Sequence, residues 1–117
     1  MSKTTIYKIV PRDLWAQAEK TGTFNGAPVD IADGYIHLST REQVRETAAK
    51  HFARQTDLLL VSVDADALGS QLRYEVSRGG ALFPHLYAKL PMKAVVKVEP
   101  LPLDENGLHV FPELEDK

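Results

Sequence analysis

The chain is predicted to be an α+β domain with a mainly antiparallel β-sheet, and three observations predict it. Helical periodicity is confined to two segments of the N-terminal half. The second half alternates, or runs apolar, in pieces of strand length. No regular helical crossovers join those pieces, as a doubly wound parallel fold would require. At 117 residues, 44% hydrophobic and 26% charged, the chain has the composition of an ordinary folded protein able to bury its own core. One domain over 1–117 is expected, with a core at about 4–99 and a tail over 100–117.

Residues 4–10 are rich in β-branched and aromatic side chains and are expected to form the first strand. Pro11 suits the first turn of a helix over about 11–20, where Asp13 lies near the positive end and Leu14, Trp15 and Ala18 recur at helical spacing. Gly22 and Gly26 punctuate a loop expected to run on through Pro28 to Gly34. A short strand over 35–38 then delivers a histidine and breaks into a second helix, about 40–55. Val44, Ala48 and Phe52 form its buried stripe, with Arg41, Arg45, Glu46, Lys50 and Arg54 largely on wetter faces. Ser39 or Thr40 can cap that helix, because Ser39 with Glu42 and Thr40 with Gln43 both have capping-box spacing.

Residues 58–63 are nearly continuous apolar sequence, as expected for a central strand covered on both faces. A turn follows at 64–69. Residues 72–77 alternate, so Leu72, Tyr74 and Val76 are predicted to face the core, with Arg73, Glu75 and Ser77 opposite. Gly79-Gly80 is expected to turn a hairpin into 81–90, where Pro84 predicts an edge strand, a bulge or an extended loop. Pro91 starts another turn, 94–99 is a final strand, and the tail is expected to dock through Val110 and Phe111.

The net charge of −2 gives no electrostatic reason to expect nucleic acid as a partner. Cysteine is absent, which removes disulfides, thiol nucleophiles and thiolate metal sites. Residues 1–5 lack the apolar run of a signal peptide, and the longest uninterrupted apolar segment, 58–61, is far too short to span a membrane. A cytoplasmic location without membrane contact is expected.

Of the four histidines, His51 near a helix end and His109 in the tail carry the weaker functional signal. His37 and His85 are each embedded among apolar residues in strand-like segments, where a histidine either satisfies a backbone carbonyl or works in a site. Grouped with Glu75 they could perform acid–base or electrostatic chemistry. Tyr87, two residues after His85, should share its face and add a hydroxyl or a stacking ring. The strand end and helix start at His37, Ser39, Thr40 and Arg41 form a natural place for a phosphate. A metal-free site is expected, since neither His-x-His nor His-Glu-x-x-His occurs. Ser39 lacks a Gly-x-Ser-x-Gly elbow, and the segment from Arg73 to Gly80 has no phosphate-loop lysine.

Three stretches are familiar: Ile6-Tyr7-Lys8-Ile9, Gly34-Tyr35-Ile36-His37-Leu38-Ser39-Thr40, and Arg73-Tyr74-Glu75 followed by Gly79-Gly80 and Leu82-Phe83-Pro84-His85-Leu86-Tyr87. Together they resemble a bacterial family of small domains of unknown function that is structurally similar to the ADP-ribosyltransferase fold, a split antiparallel sheet that holds NAD. The resemblance implies NAD, ADP-ribose or another phosphorylated small ligand, with Glu75 as the catalytic carboxylate on the ribose. It also implies His37 and His85 as orienting or proton-moving groups, Ser39, Thr40 and Arg41 as phosphate contacts, and Arg73 and Tyr87 as further binding residues. Lys8 stands near a position where relatives carry histidine. The same features would equally serve a non-catalytic binding or regulatory domain in which the histidines build the fold.

Overall fold

Strand β4 (Leu58–Asp64) is the element around which the others pack, in a computed structural model whose described residues are 4–114. Expectations for residues 1–3 and 115–117 lie outside the described residues. β1 (Thr5–Pro11) pairs antiparallel with β4 from Thr5↔Asp64 to Pro11↔Leu58, and β8 (Val95–Pro100) pairs antiparallel along its other edge. Successive side chains of these strands leave on opposite faces. Leu59, Val61 and Val63 therefore join Ile6, Val10 and Trp15 in one apolar cluster, while Leu58 and Leu60 join Tyr7, Ile9, Val44 and Ala48 in another. The apolar run predicted to be central and covered on both faces is both.

The first face carries α1 (Arg12–Thr21), which buries Trp15 and Ala18, and a small ribbon of β2 (Thr23–Phe24) with β7 (Leu90–Pro91). It also carries a second three-stranded sheet, in the order β3 (Ile36–His37), β6 (Leu82–Leu86), β5 (Leu72–Val76), all antiparallel. Reciprocal backbone hydrogen bonds between Tyr7 and Ser39, 2.8 and 2.9 Å, tie the edge of one sheet to the other. The opposite face is covered by α3 (Val44–His51) and by the C-terminal segment, where Phe111 and Leu114 pack. Val110, the other half of the expected docking pair, is exposed. Among the described residues no helix is long and apolar enough to cross a membrane.

Four sequence expectations need correction. The loop from Pro28 to Gly34 contains a third N-terminal-half helix, α2 (Pro28–Asp33). Pro28 occupies its first turn, the Asp30 carboxylate accepts from the Ala27 N–H at 2.8 Å, and Gly34 ends it at φ +88°, a conformation that favours glycine. Second, the helix expected over 40–55 is α3, only eight residues long; 41–43 form turns, and neither Ser39 nor Thr40 caps it. Gln43 instead reaches back to the Thr40 N–H at 3.1 Å, which is the carboxamide half of the expected capping box.

Third, Pro84 lies in the central strand of its sheet rather than on an edge. Its carbonyl accepts from the Leu38 N–H at 3.0 Å, so its missing donor falls on the β3 side, where that short ladder ends, and the β5 ladder is intact. Fourth, only Leu72 of the alternating trio reaches the core. Tyr74 is 45% and Val76 69% exposed, because the β5–β6 hairpin runs beyond the layer that would cover it. Alternation decides which residues share a face, not what lies against that face.

Candidate functional site

The outer face of the β3–β6–β5 sheet assembles the site, and the two-residue spacing of its motifs is the reason. His37, His85 and Arg73 are successive partners across the three strands, through the pairs His37↔His85 and Arg73↔His85. Tyr35, Tyr87 and Glu75 each lie two positions from one of them, so their side chains emerge on the same side. Tyr35 fills the middle. Its ring stacks on His85 at 4.2 Å between centroids and tilts against His37 at 4.6 Å and Tyr87 at 5.2 Å. The opposite side of this sheet, through Ile36, Leu38 and Leu86, is core.

Each histidine has its own carboxylate. His85 Nδ1 lies 2.8 Å from Glu75 Oε1, and the Tyr87 hydroxyl donates to the same oxygen at 2.7 Å. The hydrogen bond from Tyr87, then that from His85, holds the Glu75 carboxyl below its ordinary range, with smaller help from the charge of Arg73. The same bond to Glu75 pushes the Tyr87 hydroxyl up. A carboxylate on Nδ1 orients the ring with Nδ1–H as donor, which leaves Nε2 of the neutral imidazole as the lone-pair nitrogen. Neither His85 Nε2 nor Glu75 Oε2 has a hydrogen-bond partner among the described residues. The Arg73 guanidinium sits 5.3 Å over the Tyr87 ring.

His37 is anchored differently. Its Nδ1 lies 2.6 Å from Asp30 Oδ1 and its Nε2 2.9 Å from Asp33 Oδ2, so both ring nitrogens face carboxylates from α2. Asp30 is 1% exposed and also accepts from the His37 N–H, the Ala27 N–H and the Lys8 ammonium, the last at 2.9 Å. Burial alone would raise the Asp30 carboxyl. The His37 hydrogen bond, the charge and hydrogen bond of Lys8, and the Ala27 N–H outweigh it and bring the pKa down to about 2. Burial pulls the Lys8 ammonium below its usual range, and the neighbouring carboxylate partly offsets this. Lys8 and Asp30 thus form a buried ion pair beside His37.

Of the sequence-derived site residues, His37, Glu75, His85, Tyr87 and Arg73 come together on one face. Lys8 meets that face at the free edge of β3, through Asp30. Ser39 is buried, with its hydroxyl 2.9 Å from that of Thr47, and the Arg41 guanidinium lies 3.3 Å from Glu42 at the surface. Neither the Ser39 nor the Thr40 hydroxyl caps α3. Asp30, Asp33 and Tyr35 were not singled out from sequence. Pro28, Asp30 and Gly34 do carry the start, first-turn and stop signals of a short helix, which would have placed both aspartates on it. Among the described residues no three His, Asp or Glu side chains converge as ligands of a metal ion.

A model of the family described as a protein of unknown function, DUF952, matches residues 9–98, which include every residue of this site except Lys8. The chain is similar to protein CC0527 from Caulobacter crescentus. Against its X-ray crystal structure the identity is 50%, covering 92% of this chain and 94% of that one, with a TM-score of 0.88. Against its solution NMR structure the identity is 50%, the coverage 89% and 90%, and the TM-score 0.81. None of the curated proteins matches.

Proposed function

We propose that this chain, which belongs to the DUF952 family, is an ADP-ribosyltransferase-like domain. It would bind NAD, ADP-ribose or another phosphorylated small ligand on the face formed by His37, Glu75 and His85. The observation that carries this is the asymmetry of Glu75. One carboxylate oxygen is held by His85 and Tyr87, and the other has no partner among the described residues. A carboxylate fixed in this way and kept ionised is suited to a ribose hydroxyl. In transfer from NAD, where the bond from the ribose anomeric carbon to nicotinamide breaks, it is equally suited to the positive charge that develops on the sugar. His85 Nε2 is free to accept the proton of an attacking hydroxyl, Tyr35 and Tyr87 offer ring faces, and Arg73 is a cation on the same face for phosphate. Two three-stranded antiparallel sheets joined through Tyr7 and Ser39 support the split-sheet architecture of that fold.

A second reading is a non-catalytic binding domain, and one observation favours it. His37 has both nitrogens committed to Asp30 and Asp33, as suits a residue that builds the face rather than reacts on it.

Titration of isotope-labelled protein with NAD, then ADP-ribose, followed by backbone amide shifts, tests the proposal. Saturable shifts at 35–37, 73–75 and 85–87 that vanish in Glu75→Gln at unchanged melting temperature are expected. The absence of shifts at millimolar ligand removes the NAD reading. Binding that survives Glu75→Gln, without nicotinamide release in either protein, leaves the binding domain.

A further inference from the structure

A second constellation lies across the β1–β4–β8 sheet from the histidines. There α3 and the C-terminal segment enclose an open cavity of about 300 Å³, at the lower end of the range for small-molecule sites. Its floor is made of small side chains, Ala48, Ala49 and Ala53, and one wall is the ring of Phe111. Two arginines stand at it. Arg45 lies 5.3 Å over the Phe111 ring, and Arg54 runs along the backbone of Gly107. A Cβ at Gly107 would come within 3.0 Å of Arg54 Nη1 and 3.4 Å of its Cγ, so glycine, here at φ +81°, makes room for the guanidinium. We propose that this cavity is a binding site for a small organic anion, a phosphate or carboxylate carried on a compact apolar body, held by Arg45 and Arg54 above the alanine floor.

Several exposed cations have acidic neighbours: Arg12 with Asp57, Arg41 with Glu42, Lys50 with Glu46. Arg45 and Arg54 have none among the described residues, although the chain is net acidic. Guanidinium groups match phosphate and carboxylate with paired hydrogen bonds.

The wall opposite α3 is also preorganised. The Asp104 carboxylate accepts from the N–H groups of Asn106 and Leu108 at 2.8 and 3.0 Å, Leu103 bridges to His109, and His109 Nε2 donates to the Gln55 carbonyl at 3.2 Å. A turn tied down in this way loses little freedom when a ligand arrives. With a donor already committed at Nε2, His109 and the Asn106 carboxamide remain as polar groups at the rim.

The test is an amide-shift titration of the labelled full chain with phenyl phosphate, with benzoate and with inorganic phosphate. Saturable shifts at 45–54 and 106–109, stronger for an organic anion than for inorganic phosphate, are expected. The tighter of the two organic probes identifies the anion. Arg45→Gln and Arg54→Gln should each weaken that binding by about tenfold while the melting temperature holds. Shifts at Glu75 and His85 report the other face and do not count. The proposal is overturned by no saturable shift with any probe at millimolar concentration, by equal affinity for inorganic phosphate, or by binding that both variants leave unchanged.

Discussion

His37 and His85 are direct partners across β3 and β6, with ring centroids 5.7 Å apart at an interplanar angle of 70°, yet each gives its Nδ1 to a different carboxylate. Asp30 comes from a helix at the free edge of β3 and is buried; Glu75 comes from the strand beside β6 and is half-exposed. The pair therefore divides one face into a half whose ring nitrogens are both held and a half that leaves His85 Nε2 and one Glu75 oxygen open. His85 is nonetheless the more buried ring, 4% exposed against 32% for His37.

The anchored half should be expensive to disturb. Lys8→Met leaves the Asp30 carboxylate buried without its cation, and breaking a buried pair from one side costs about 3–5 kcal/mol. Urea denaturation measures this. A loss below about 1 kcal/mol, the size of a surface pair, would show that Asp30 finds another partner.

Acid should destabilise the protein through the same carboxylate. The folded pKa of Asp30, about 2, lies below its ordinary value of 3.8. Its contribution is therefore present above pH about 4 and is lost as the pH falls through about 2, with a size on the order of 2 kcal/mol. Asp30→Asn should be less stable near neutrality and show a flatter slope of unfolding free energy across that window. An unchanged slope would place the acid sensitivity in another group.

The open half can be tested by titration. Tyr87→Phe removes the largest contribution to the lowered Glu75 carboxyl, so the Glu75 side-chain carbon signal should titrate at higher pH in the variant. Any activity that requires ionised Glu75 should then fail at a correspondingly higher pH on the acid side. Coincident titration curves in the two proteins would mean that the Tyr87 bond does not form in solution.

Two apolar positions separate pattern from coverage. Leu60→Ala in β4 empties a fully buried site and should cost about 2–5 kcal/mol. Val76→Thr on the exposed end of β5 should change stability by less than about 0.5 kcal/mol. Comparable losses at both would mean that the hairpin face is covered in solution.

The sequence by itself determined whatever depends on period and local chemistry. The apolar run of β4 required burial on both faces, and the spacing of two between His85 and Tyr87 put both on one side of a strand. Tertiary structure alone decided what lay against each face. Tyr74 and Val76 alternate correctly and still meet solvent, because no layer extends over them. Lys8 joins Asp30 across 22 residues, a pairing that exists only because α2 and β1 meet at the free edge of β3. Glu75 could have been half of an ordinary surface ion pair with Arg73. The turn at Gly79-Gly80 instead sets the register of β5 against β6 and puts Glu75 diagonally beside His85, within reach of the Tyr87 hydroxyl, whereas the pairing of β3 with β6 that adds His37 to this face joins segments far apart in the chain.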